Sequence, residues 1–241
     1  MRIALIQMSN NAKANEVSLA MQAAGLEPFD FFPQEPLENL REALGFVLVD
    51  GGLGEELVRV LMEQSRLGKP ILGFGKGARV LVDNGLVPGI EGDRVGLRLV
   101  EDKQGWEGSE LKALVRVVDD YQYNAFTRGL GAGQLLPVSV QKGLGCFEIP
   151  AGLLFEIQVQ GLGLFQYANE QGERMAEFPV NPTGSVDNIA AVSNKAGNVL
   201  AMVPYLEGEQ GELIWRSMKE YILAPRTAGV APLGYWPREN R

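Results

Sequence analysis

The chain has 241 residues, 46% of them apolar and 22% charged, enough to bury a core in one large domain or two small ones. Its net charge of −8 excludes a general nucleic-acid or polyanion binder, because phosphate contacts need clustered Lys and Arg and none cluster here. Histidine is absent, which removes the commonest general base and metal ligand, and a single cysteine, Cys146, rules out an internal disulfide and suits a reducing cytosol.

Ile3 to Met8 reads as a buried strand that begins too early for a signal peptide, and no apolar run approaches the ~18 residues of a membrane helix. A helix is predicted over Asn10 to Gly25 and a short strand over Leu26 to Phe32, broken by Pro33 and Pro36. Leu37 to Leu44 is a short helix or turn. Phe46 to Val49 is a β run ending in the turn Asp50-Gly51-Gly52. Glu55 to Leu67 is an amphipathic helix closed by Gly68. Lys69-Pro70-Ile71-Leu72-Gly73-Phe74-Gly75-Lys76-Gly77-Ala78-Arg79-Val80-Leu81-Val82 then reads as strand, tight turn and helix, ending near Gly85. This alternation predicts an α/β fold with a doubly wound parallel sheet, whose sites lie beyond the carboxyl ends of the strands. Asp50-Gly51-Gly52 and Gly73-Phe74-Gly75 both fall there.

The second half changes character. Val95 to Val100, Leu111 to Val118, Gly133 to Val140 and Leu153 to Gln160 read as strands. The alternation of Phe155, Ile157 and Val159 suits an antiparallel or half-exposed sheet. Leu162 to Tyr167, Ile189 to Ser193 and Val199 to Met202 are shorter strands, and Gly211 to Leu223 is a final helix. Residues 1–223 are expected to form one domain, with 224–241 a tail whose Tyr235 and Trp236 dock on something or remain disordered.

The glycine-flanked turn has the design of a nucleophile elbow, a bend that lifts a Ser or Cys above the strand ends. Its tip is Gly75, which carries no nucleophile. Lys76 beside it reads as a solvated residue at a helix start, with an anion site as the alternative. Cys146 reads as a buried, inert thiol. Asp119-Asp120 reads as a surface turn rather than a metal site, because adjacent strand carboxylates point to opposite faces. Asn181 to Ser185 reads as a structured turn.

Leu72-Gly73-Phe74-Gly75-Lys76-Gly77 resembles the elbow of a class I glutamine amidotransferase. Leu86-Val87-Pro88-Gly89 is similar to L-L-P-G in the glutaminase subunit family of phosphoribosylformylglycinamidine synthase. Asn181 to Ala190 is similar to that family's N-P-N-G-S-x-x-N-I-A, Asn194 to Leu200 to its N-x-x-G-N-V-L, and Met202 to Glu207 to its M-M-P-H-P-E. The resemblance covers about residues 1–222. It implies an α/β three-layer sandwich with a mostly parallel doubly wound sheet, flavodoxin-like, and no cofactor. It also implies glutamine hydrolysis by a Cys-His-Glu triad, with ammonia passed to a synthase subunit in purine synthesis.

The same resemblance places departures from the family pattern. The cysteine position is Gly75 and the histidine position Tyr205; the acid is retained as Glu207, beside Leu206. Val49-Asp50-Gly51-Gly52-Leu53 resembles the family's L-P-G-G-F oxyanion turn, without the longer insertion that follows it there. In the family's P-I-A-H-G-E-G-R segment the histidine, glutamate and arginine are replaced by Val140, Lys142 and Leu144. These departures predict an inactive homologue that binds or regulates a synthase of the phosphoribosylformylglycinamidine type, or a paralogue. A small-molecule sensor is one alternative, using a vacant elbow pocket formed by Gly51, Gly52, Gly73, Phe74 and Lys76. The other is an enzyme rewired around Glu207, Lys76 or Cys146.

Overall fold

The computed structural model describes residues 1–9, 11–49, 51–90, 96–102, 105–118, 124–143 and 145–224. The readings for Asp50, Asp119-Asp120, Leu144, Tyr235 and Trp236 lie outside the described residues.

Five strands and three helices alternate at the start: β1 (Arg2–Ile6), α1 (Ala12–Ala23), β2 (Glu27–Phe31), β3 (Gly45–Leu48), α2 (Glu55–Arg66), β4 (Ile71–Phe74), α3 (Lys76–Asp83) and β5 (Arg98–Val100). Then come β6 (Glu110–Val117), β7 (Leu135–Gln141), β8 (Cys146–Glu148), α4 (Ala151–Val159), β9 (Phe165–Ala168), β10 (Ile189–Ser193), β11 (Val199–Met202), β12 (Tyr205–Leu206) and α5 (Gly208–Leu223). The Asn11 side chain accepts a hydrogen bond from the Ala14 N–H at 2.9 Å and so caps α1.

Among the described residues, one ten-stranded sheet has the order β12-β7-β6-β9-β10-β11-β4-β3-β1-β2, and β5 pairs with β8 in a separate small sheet. From β2 to β11 every pairing is parallel; from β11 out to β12 every pairing is antiparallel. The two halves match the change in sequence character after the elbow helix. Alternation sorts the core into two layers. Ile3, Leu5, Val47, Leu72 and Phe74 pack on one face with α1 and α5. Ala4, Ile6, Phe46, Leu48 and Ile71 pack on the other with α2, α3 and α4. Burial on both faces is why β1, β3 and β4 are nearly continuous apolar runs.

Only Val203 and Pro204 separate β11 from β12, yet the two strands stand five places apart in the sheet. A flat sheet would put them about 24 Å apart, whereas three residue steps span at most about 11 Å. The antiparallel half therefore curls back and brings β7 and β12 to the carboxyl ends of the parallel strands.

Leu153 to Gln160 is a correction: the predicted strand is helix α4. Its alternating apolar residues resolve into two stripes of spacing four. Leu153 and Ile157 are buried, while Phe155 and Val159 are exposed. Pro150, at φ −58° in the N-cap position, sets the helical entry. The sequence reading also missed β8 and β12, three and two residues long. Both are held by partners distant in the chain rather than by local pattern.

Candidate functional site

The elbow is present. β4 ends at Phe74, α3 starts at Lys76, and Gly75 between them sits at φ 49°, ψ −110°. A side chain strains that conformation, and glycine adopts it freely. The Gly75 N–H donates to the Met202 carbonyl at 3.0 Å, tying the turn to the end of β11. The flanking glycines allow close backbone approach. A Cβ on Gly73 would lie 2.6 Å from the Gly77 carbonyl oxygen, and one on Gly77 would lie 2.3 Å from that of Leu48. Helix α3 thus presses directly on β3 and β4. Gly51 lies against the first turn of α3, where its added Cβ would come 3.3 Å from Lys76 Cβ; Gly52 has φ 77°. The Lys76 side chain is exposed.

Tyr205 is buried across these strand ends. Its ring stacks on Phe74 with centroids 5.2 Å apart and planes 19° apart, and Trp215 from α5 meets the Phe74 ring edge-on at 6.0 Å. The Tyr205 hydroxyl donates to the Val49 carbonyl at 3.2 Å. The side chain therefore spans from the end of β4 to the residue just past β3. Because the stack survives removal of the hydroxyl, Tyr205→Phe should lose only about 1 kcal/mol, the net worth of one hydrogen bond. Urea unfolding would measure it.

Glu207 follows β12, partly buried, and pairs with Lys112 of β6. Lys112 also bonds Glu110 at 3.1 Å, and Glu110 meets Lys13 of α1 at 3.4 Å. The hydrogen bond to Glu207 holds the Lys112 ammonium above its ordinary pKa. For Glu110, burial pushes the carboxyl up, but the bond from Lys112 and the charge of Lys13 outweigh it, leaving a pKa below the ordinary value. Lys13 Nζ lies 5.6 Å from the Tyr205 ring centroid and donates to the buried Ser139 hydroxyl at 3.2 Å. Tyr205 and Ser139 are direct partners across β12 and β7. Sequence reasoning missed Lys13 and Ser139, since nothing local marks residues 126 positions apart as neighbours.

The other expected residues scatter. Val140 is buried in the core opposite Leu111. Lys142 donates to the Trp106 carbonyl at 2.6 Å, and the Trp106 indole N–H donates to the Pro182 carbonyl at 3.1 Å. Cys146 is buried in β8, its Sγ 3.9 Å from the Phe147 carbonyl oxygen, in the small sheet rather than at the elbow. Asn181 to Ser185 forms a turn closed by Asn181 Nδ2 on the Ser185 carbonyl at 2.8 Å and by the Gly184 N–H on Asn181 Oδ1 at 3.0 Å. Among the described residues, no three His, Cys, Asp or Glu side chains converge to hold a metal, and no helix is long and apolar enough to cross a membrane.

An empty-tipped elbow between a glycine turn and a terminal Tyr-x-Glu is the geometry against which known proteins can be compared. Residues 44–223 match the CobB/CobQ-like glutamine amidotransferase domain family. The chain belongs to that family.

Within it, the chain is 28% identical over 252 residues to phosphoribosylformylglycinamidine synthase subunit PurQ of Methanothrix thermoacetophila, an alignment spanning 96% of this chain and 94% of the relative. It is 32% identical over 170 residues to the same subunit of Aquifex aeolicus, spanning 67% and 69%. A chain in the structure of PurLQS from Thermotoga maritima shares the fold at TM-score 0.66 and 18% identity, over 92% of this chain and 98% of that one. The chain is thus a class I glutamine amidotransferase homologue related to PurQ, with the α/β fold of that class.

Proposed function

We propose that this amidotransferase homologue is non-catalytic and serves as a docking or regulatory subunit of a synthase of the phosphoribosylformylglycinamidine type, or of a paralogue, in the cytoplasm. The observation that carries the reading is Tyr205. At the position that the resemblance equates with the triad histidine, its ring stacks on Phe74 and its hydroxyl bonds Val49. The ring lies against the last residue of β4, immediately before the Gly75 turn. Gly75, in the nucleophile's position, has no atom for covalent attack, and Glu207, in the acid's position, is engaged by Lys112. The synthase would then take ammonia from solution or from another subunit. The sensor reading has less support, because Tyr205 covers the strand ends. The rewired-enzyme reading has less support because Glu207 and Cys146 both have other surroundings.

Co-purification tests the docking role. The chain, mixed at micromolar concentration with the synthase subunit encoded in the same genome, should elute with it from a sizing column. A chain that elutes alone would overturn the assignment.

A further inference from the structure

Residues 203–207 carry Tyr205 on very little backbone pairing. Among the described residues, β12 lies at the end of the ten-stranded sheet with β7 as its one strand neighbour, through the pairs Tyr205 with Ser139 and Leu206 with Val138. Beside that pairing, the Val203 N–H donates to the Ala190 carbonyl at 3.0 Å and the Glu207 N–H to the Pro137 carbonyl at 3.1 Å. A segment with so short a ladder belongs to the low-stability end of a fold, where opening is local rather than global. Tyr205 is nonetheless buried.

Lys13 reaches this segment from the other half of the molecule. It lies in the first turn of α1, whose start is fixed by the Asn11 cap and whose buried face packs with Ile3 and Leu5 of β1. Its ammonium donates to the Ser139 hydroxyl at 3.2 Å, meets Glu110 at 3.4 Å and Glu16 at 3.0 Å, and lies 5.6 Å from the Tyr205 ring centroid. One cation thus touches both members of the Tyr205–Ser139 pair. Lys112 extends the link, since it bonds both Glu110 and Glu207. The charges run from α1 over β6 to the residue after β12.

Helix formation does not account for this lysine. A cation in the first turn opposes the helix macrodipole, which favours acids there, and α1 has no acid in that turn. The side chain is only 13% exposed, and an ammonium withdrawn from water needs partners. Those partners come from α1, β6, β7 and β12.

We propose that residues 203–207 form a strap that opens locally and uncovers the Phe74 ring beside the Gly75 turn, and that Lys13 is the positioning residue that holds the strap closed. The device does not depend on the docking role and stands whether or not a synthase binds.

The test is hydrogen–deuterium exchange of the purified full chain in increasing urea below the unfolding transition, read by mass spectrometry on peptides covering 203–207, β3 and β4. In the wild type, 203–207 should exchange faster than β3 and β4 and depend less on urea, the signature of local opening. Lys13→Met keeps the apolar stem and removes the charge. It should speed exchange of 203–207 about tenfold or more, the fold-change of one lost charge-assisted hydrogen bond, and leave β3 and β4 unchanged. Lys13→Arg, which retains the cation, should restore most of the protection. Unchanged exchange of 203–207 in Lys13→Met overturns the proposal. Equal acceleration of β3 and β4 also overturns it, because Lys13 would then serve general stability, and so does Lys13→Arg exchanging as fast as Lys13→Met. Should Lys13→Met fail to fold by circular dichroism, the wild-type urea series decides: exchange of 203–207 that tracks β3 and β4 refutes a local strap.

Discussion

Purified chain incubated with glutamine is expected to release ammonia no faster than a buffer blank, on the order of 10⁶-fold below a relative with an intact triad. That is the scale lost when the nucleophile of a comparable triad is removed, and further losses add little. Gly75 offers no sulfur or oxygen, and a neutral tyrosine, with an ordinary pKa of ~10, is a poor base at pH 7. Glutamine hydrolysis above the blank, abolished by Glu207→Ala, would overturn the non-catalytic reading.

The converse is sharper. The double variant Gly75→Cys, Tyr205→His should recover little of that activity. A cysteine placed at φ 49°, ψ −110° bears a strain of roughly 1–3 kcal/mol that glycine avoids. The Glu207 carboxylate that would orient the new histidine is held by Lys112. Val140 is sealed in the core, and Lys142 is bonded to Trp106. The engagement of Glu207 and the surroundings of Val140 and Lys142 are thus untouched by the two substitutions. Ammonia release by the double variant near that of an intact relative would refute this account.

Gly77→Ala is expected to be among the most damaging single changes in the chain. The added methyl carbon would sit 2.3 Å from the Leu48 carbonyl oxygen and 2.7 Å from its carbon, both backbone atoms of a central strand. Neither can swing aside as a flexible side chain does. Overpacking typically costs 1–3 kcal/mol, and a backbone clash belongs at or above the top of that range, about 3 kcal/mol. For a domain of this size that lowers the melting temperature by about 6–12 °C. Gly73→Ala should fall in the same class, since its Cβ would meet the Gly77 backbone at 2.6 Å. Gly131→Ala is the control: nothing lies within 4 Å of its Cβ, and it should shift the midpoint by no more than about 0.5 kcal/mol. Thermal melts followed by circular dichroism separate the three. Equal melting of Gly77→Ala and Gly131→Ala would mean that α3 is not seated on β3 as described.

These two results depend on different levels of information. The elbow was legible because strand, turn and helix are encoded within a dozen consecutive residues. A short apolar run, glycines at alternate positions and a helical apolar pattern each report local backbone geometry and burial. The parallel half was legible for the same reason: strands buried on both faces cannot hide their apolar runs. The antiparallel half was less so. Phe155, Ile157 and Val159 fit a strand of period two as well as two stripes of a helix, and only packing against the sheet separated these readings. Strand β12 has two residues and no pattern of its own; it exists because β7 is there to pair with it.

The amino-acid sequence by itself therefore determined the class of fold and an elbow with Gly75 at its tip, because each is written in neighbouring residues. Only the tertiary structure decided which side chains meet at the strand ends beside that turn. The curl of the antiparallel sheet brings β7 and β12 to the strand ends. It sets Tyr205 across Phe74 and onto Val49, 156 residues away, and sets Lys13 on Ser139. Local patterning states which way a side chain points; which distant group it meets depends on how the whole sheet bends.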